Sequence, residues 1–171
     1  MEVKDAVEIR RSVRSYRDEK VPRTIIKDIM ESVRMAPSAS NRQDWKFVIV
    51  DEETVKDQLY KAANEQSFVR EAPVVIAGVA TEPEEMMSCG VKAGTVDLSI
   101  ALDHLTLRAA EEGLGTCWIG AFDQDKTREI LEIPEDHKVI SLMPLGYPKY
   151  DLTREDKKRK KLEKIISYNN F

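Results

Sequence analysis

Residues 113–120 read Gly113-Leu114-Gly115-Thr116-Cys117-Trp118-Ile119-Gly120, directly after a long helical pattern running from Val91 to Glu112. The glycine spacing is G-x-G-x-x-x-x-G and it follows a helix. A dinucleotide-binding fingerprint needs G-x-G-x-x-G between a strand and a helix, so that reading and the doubly wound fold it brings are set aside. Gly113 is a natural helix stop, and the glycines beyond it let backbone approach a ligand closely. In the preceding helix Leu98, Ile100, Ala101, Leu102, Leu105, Leu107 and Ala109 leave only a narrow polar strip. Such a helix is buried, either centrally or against a second subunit. Cys117 has no base near it in sequence, which favours a packing role over a nucleophilic one.

Upstream, Pro73 to Ala80 (PVVIAGVA) is apolar throughout, as expected of a strand covered on both faces. Lys46 to Val50 reads as another strand, and Thr54 to Ala63 as a helix with Val55, Leu59 and Ala62 on one side. Pro22 suits a helix start. Ile25, Ile29 and Val33 then recur at four-residue spacing, and Pro37 ends that helix near Met35. Val3 to Arg10 reads as a short helix and Glu82 to Cys89 as a loop or short helix. Downstream, Asp125 to Leu131 is helical, Val139 to Leu145 is a strand, and Glu155 to Ile166 is a charged terminal helix or an extended arm. Helices and strands mix without a strict βαβ rhythm. That pattern favours α+β, a central sheet covered by helices, in a single domain spanning residues 1–171.

The bulk chemistry narrows the function. A chain of 171 residues buries roughly 70% of its unfolded surface and folds without disulfide or metal. A formal net charge of −4 argues against a general nucleic-acid binder. No apolar run is long enough to span a membrane. The first residues, Met1-Glu2-Val3-Lys4-Asp5, do not read as a signal peptide. Cys89 and Cys117 are far apart and His104 and His137 make no metal-binding pair, so no metal is expected and a reduced, cytoplasmic setting is.

Three stretches carry candidate chemistry. In Arg10-Arg11-Ser12-Val13-Arg14-Ser15-Tyr16, alternate residues of an extended segment point the same way. Arg10, Ser12 and Arg14 can therefore converge on one anion, which arginine's planar fork suits; a solvated basic loop is the alternative. Pro37-Ser38-Ala39-Ser40-Asn41-Arg42-Gln43-Asp44-Trp45 is rich in small donors and acceptors able to meet a polar heterocycle, or else it is a loop whose Ser38 and Asn41 cap turns. The tail from Arg154 to Lys161 is a charge run with no interleaved aromatics, which disfavours a nucleic-acid role. His104 reads as a core or interface histidine. No Ser/His/Asp set stands at motif spacing, so no side chain is assigned as catalytic.

In this order, Arg-Arg-Ser-x-Arg-x-Tyr near residue 10, Pro-Ser-x-x-Asn-x-Gln-x-Trp near 40, Gly-Leu-Gly-Thr-Cys-Trp-Ile-Gly near 115, and Gly146-Tyr147-Pro148 before a Lys/Arg cluster form a series. The chain resembles the FMN-dependent nitroreductase family, as a short member, from about Val3 to its C-terminus. The resemblance implies a mostly antiparallel sheet flanked by helices, in an intertwined homodimer with FMN at the interface. Carried onto matching positions, Arg10, Arg11, Ser12 and Arg14 would hold phosphate, ribityl chain and pyrimidine edge, with Lys157 and Arg159 completing the phosphate clamp. Pro37, Ser38, Ser40 and Asn41 would reach the flavin from the other subunit. Gln66 would pair with the pyrimidine edge, and Gly120 and Ala121 would place backbone amides near N5 and O4.

The implied activity is ping-pong reduction of a nitroaromatic, quinone or related electron-poor small molecule with NADH or NADPH. The alternatives on the same fold are a dehalogenase-like or flavin-destroying enzyme, or a flavin-storage protein with little turnover. One departure stands out. The family usually has Gln-Pro-Trp where this chain has Gln43-Asp44-Trp45, which puts a negative charge at the pocket rim.

Overall fold

The structure is a computed structural model and describes residues 1–153 and 157–171. Arg154, Glu155 and Asp156, at the head of the charged tail, lie outside the described residues. Four strands form one antiparallel sheet: β1 (Trp45–Val50), β2 (Val74–Ala80), β3 (Gly115–Thr116) and β4 (Lys138–Gly146), in the order β1-β2-β4-β3. Six helices surround it among the described residues: α1 (Val3–Ile9), α2 (Arg23–Arg34), α3 (Glu53–Ala62), α4 (Ser67–Glu71), α5 (Ala93–Glu111) and α6 (Gln124–Ile130).

The apolar run of β2 has the double coverage its composition requires. All seven of its residues are buried. Val75, Ala77 and Val79 face one core with Leu59 of α3 and Phe68 and Val69 of α4. Val74 and Ile76 face the other core with Ile29 and Val33 of α2 and Leu102 and Leu105 of α5. The result is a three-layer α+β sandwich, as the sequence indicates. At Gly78 an added Cβ would stand 3.0 Å from a Leu102 methyl, so α5 lies close against the sheet there.

The end of α5 sets the position of everything after it. Gly113 has φ +73, where a side chain is strained. Its N–H donates to Ala110 O at 3.1 Å and that of Leu114 donates to Ala109 O at 2.8 Å. This is a Schellman closure, with Leu114 buried as its apolar contact. It turns the chain straight into β3. Pro22 caps α2, and Met35 ends it two residues before Pro37.

The structure adds two elements the sequence reading did not contain and decides between two alternatives for the tail. Ser67–Glu71 is a short helix and Gly115–Thr116 a two-residue strand, both too brief to show a period. The tail from 157 onward is not a continuous helix. It is extended, with one 3-10 turn at Leu162–Lys164. From residue 158 on every residue is exposed, so the tail gains none of the apolar packing that stabilises most helices.

Gly115 is one of two glycines, with Gly146, that leave no room for a side chain. An added Cβ would lie 2.4 Å from Val13 Cγ2 and 2.7 Å from Val13 Cβ. Gly115→Ala is therefore expected to cost about 1–3 kcal/mol by overpacking and to lower Tm by several degrees. Gly120→Ala, with no atom within 4 Å of the new methyl, should leave Tm unchanged. Equal melting of the two variants would show that segment 10–16 is not packed on β3.

Candidate functional site

The arginine segment is laid along the β3 edge by backbone pairing. Ser12 bridges Thr116 in parallel register, and Val13 N–H donates to Thr116 O at 2.8 Å. The Tyr16 hydroxyl, buried, donates to Val13 O at 2.8 Å and approaches Pro144 O at 3.4 Å. Burial pushes its pKa far above the phenol range, so it stays protonated and keeps this anchor. With Val13 turned into the core, Ser12 and Arg14 on either side of it are exposed, as alternation in an extended segment requires; the alternation stops at Ser15, because Tyr16 is buried as well. The Arg14 guanidinium stands 5.9 Å from the Phe68 ring centroid, a cation–π contact. Cys117 lies beside them. Burial pushes its thiol up, while Arg14 and Ser12 pull it partly back. A buried thiol held in its neutral form fits packing and not nucleophilic attack.

The two chain ends meet at this segment. Arg11 Nη2 donates to Thr153 O at 2.5 Å, and Lys157 Nζ donates to Val7 O at 2.7 Å. Lys157 is depressed below the ordinary lysine range, first by desolvation and then by the positive charges of Arg10, Arg11 and Arg159. Arg10, Arg11 and Arg159 thus stand near enough to Lys157 to repel it, and Glu8 offsets part of that repulsion. Such crowding is relieved by an anion, and arginine and lysine together suit a phosphate.

Gln66 and the 120–121 turn form a third part. Gln66 Nε2 donates to Ala63 O at 2.9 Å and Ala121 O at 3.1 Å, and Asn64 Nδ2 reaches Ala121 O at 3.3 Å. These amides hold the turn by its carbonyl. Gly120 and Ala121 are exposed. Among the described residues neither N–H meets a protein acceptor. The turn thus presents two donors to open space.

The segment with Pro37, Ser38, Ser40 and Asn41 lies elsewhere. It leads into β1, whose first residue Trp45 pairs with Ala80, and Ala80 pairs with Lys138 at the start of β4. Ser12 meets Thr116, which pairs with Leu145 near the far end of β4. Lys138 and Leu145 are roughly 24 Å apart at about 3.4 Å per residue. The two segments also sit at opposite edges of the sheet. One chain therefore does not bring Ser38 and Asn41 to Ser12 and Arg14.

Segment 38–43 is strained and pinned. Ser40, Asn41 and Gln43 have φ of 53, 55 and 58, left-handed values that cost non-glycine residues of order 1–3 kcal/mol each. Ser38 Oγ accepts from Gln43 N–H at 3.0 Å. Asp97 of α5 accepts from Ala39 N–H with both oxygens at 3.1 Å. Asp44, the residue in place of the family's proline, accepts from Arg42 Nε at 2.8 Å, while Arg42 Nη1 donates to Glu85 at 2.7 Å. The rim charge expected from Asp44 is thereby paired, and Arg42 links the loop to the segment around Glu85. The sequence reading missed Asp97 and Phe68. Only Asp97 left a signal, an acid inside the most apolar helix. His104 is half-buried with Nδ1 3.3 Å from Ser32 O, a packing position. Among the described residues no group of His, Cys, Asp and Glu could hold a metal ion.

The sequence pattern that defines the nitroreductase family matches residues 7–89 and 61–147. The chain belongs to the nitroreductase family. It is 30% identical over 179 residues to the NADH dehydrogenase of Thermus thermophilus, with 86% of this chain and 87% of that one covered. It is 32% identical over 155 residues to the FMN reductase (NAD(P)H) of Bacillus subtilis, covering 81% of this chain and 62% of the relative. A nitroreductase family protein from Clostridium difficile 630, solved as a crystal structure, superposes with a TM-score of 0.88 over 100% of both chains at 29% identity. In this family member the mutual repulsion at residues 10–11 and 157–159 yields a direct expectation. Inorganic phosphate should raise Tm more than chloride at equal ionic strength. At ten times its Kd the stabilisation is about 1.4 kcal/mol, or about 3–6 °C for a chain of this size. Lys157→Gln should remove most of that increment, and an undiminished one would dissolve the anion site.

Proposed function

We propose that the chain is an FMN-dependent oxidoreductase, active as a homodimer, that uses NADH or NADPH to reduce nitroaromatic, quinone or related electron-poor small molecules. The observation that carries the reading is the meeting of the two chain ends, where Arg11 donates to Thr153 O and Lys157 to Val7 O, which brings Arg10, Arg11, Lys157 and Arg159 into one neighbourhood. The residues fit the group. A phosphate would offset the repulsion that depresses Lys157. Gly120 leaves space open where a ring would lie, and the N–H groups of Gly120 and Ala121 stand without protein acceptors among the described residues.

Bound there, FMN would supply two-electron hydride chemistry between nicotinamide and acceptor. The chain's own part is positioning and electrostatics. Arg10, Arg11, Lys157 and Arg159 bind the phosphate. Ser12 offers an exposed hydroxyl to the sugar chain. Arg14, held over Phe68, fixes a positive charge at the pyrimidine edge, where electron density grows, and being preorganised it needs no rearrangement. Gln66 orients the 120–121 turn through the Ala121 carbonyl, so that the backbone donors face the ring. No nucleophile or acid–base pair is needed. The open space beside Gly120 would admit donor and acceptor in turn, which would be ping-pong order.

The separation of Ser38 and Asn41 from Ser12 along the sheet supports two copies per site, since the family series of residues meets only if the loop comes from a partner. Exposed Val3, Val7, Leu162, Ile165, Ile166 and Tyr168 add apolar surface for that contact. Two unpaired cysteines, one of them exposed, suit a reducing cytoplasm. Among the described residues no helix is long and apolar enough to cross a membrane.

Charged hydrogen bonds contribute about 1.5–3 kcal/mol each. Arg10→Ala and Arg159→Ala should each weaken FMN binding by at least about tenfold while leaving the flavin-free melting curve in place. Equal flavin content in variants and wild type would refute the clamp. The wild type should be yellow, dimeric by mass in solution, and bleached by NADH or NADPH under anaerobic conditions with colour regained on adding a quinone. A flavin that binds but does not bleach would mark a storage protein.

A further inference from the structure

We infer that Asp97 is the positioning residue of the flavin-facing loop: from inside α5 it fixes Ala39, and through Ala39 it sets the presentation of Ser38, Ser40 and Asn41 to the cofactor. This rests on the flavin reading above and deepens it. Asp97 is 4% exposed, and both carboxylate oxygens lie 3.1 Å from one backbone N–H, that of Ala39. An ionised carboxylate has room for about four donors. Satisfying it in a buried position with one N–H costs stability that an apolar residue on this helix would not. Neighbouring positions Leu98, Ala101 and Leu102 show what α5 otherwise buries.

The loop needs such an anchor. Its other side-chain ties run within itself, from Ser38 to Gln43 and from Gln43 to Asn41, or from Arg42 to half-buried Asp44 and exposed Glu85. Among the described residues, Asp97 alone joins it by a side chain to a core helix. Immediately after Ala39 the backbone turns left-handed at Ser40 and Asn41. Strained conformations persist only where their surroundings over-determine them. A loop ordered in advance does not have to be ordered when the ligand arrives, so the anchor acts on affinity and on ring geometry. Asp97 touches neither cofactor nor substrate and is no catalytic residue.

The full-length protein tests this with Asp97→Asn, Asp97→Ala and Ala39→Pro. The proline removes the donor while leaving the carboxylate, and Ser38 at φ −140, ψ 158 already has the extended conformation a pre-proline residue requires. FMN Kd is read by quenching of flavin fluorescence, ring geometry by visible circular dichroism at saturating FMN, and fold by melting without flavin. Asp97→Ala and Ala39→Pro should each raise Kd by roughly ten- to a hundredfold and alter the visible dichroism. The double variant should be no weaker than either single one. Asp97→Asn, whose amide oxygen still accepts from Ala39, should restore the wild-type spectrum. If Asp97→Ala does not fold, Ala39→Pro against Asp97→Asn makes the same comparison. Altered melting with Kd and dichroism as in wild type would overturn the inference and leave Asp97 a structural residue. So would an Asp97→Asn variant as impaired as Asp97→Ala. A wild type that binds no FMN would instead overturn the flavin reading itself.

Discussion

The contact of Val13 with Gly115 is the constraint on which the site depends. A two-residue strand cannot hold a neighbouring segment by its own hydrogen bonds, since each contributes about 1 kcal/mol net. What fixes segment 10–16 is close packing: Val13 sits where a side chain at 115 would be, and Tyr16 plugs the core below it with its hydroxyl on the Val13 carbonyl. With Val13 inward, the pleat turns its neighbours Ser12 and Arg14 outward. The Schellman turn at Gly113 delivers β3 to this place. The chain of cause therefore runs from an αL glycine, through a missing Cβ, to the direction in which cationic side chains point.

Two regions of the molecule are energetically unfinished, in different ways. At residues 10–11 and 157–159, like charges are brought together and Lys157 is partly desolvated. In the loop around Ser40 and Asn41 the backbone itself is strained, and a buried carboxylate is spent on one amide. Folding alone rewards neither arrangement. Under the proposed function, the first would be offset by an anion and the second would serve preorganisation. The two regions are separated along β4 and across the sheet, so within one copy they do not meet.

Much of this was legible in order along the chain. The double-sided burial of β2, the close of α2 before Pro37 and the stop at Gly113 follow from local rules, because periodicity and proline or glycine stereochemistry act within a few residues. The short α4 and β3 were not legible, since five and two residues are too few to carry a period. The tail was open between helix and arm, and its exposure decides for an extended course. Asp97 was visible only as a charge out of place in an apolar helix, with no means of naming its partner 58 residues upstream. The charge of Asp44 was read as an addition to the rim, but Arg42 pairs it.

By itself the sequence determined the family, the α+β class and the residue types that meet an anion, because these are written in motifs and in the pattern of apolar positions. The family resemblance already implied that Lys157 joins Arg10 and that Ser38 and Asn41 belong to another copy's site; only the tertiary structure decided that Gln66 holds the 120–121 turn and that Asp97 holds Ala39. These are contacts between residues distant in the chain. They are set by strand register and by close packing, which no local window of sequence contains.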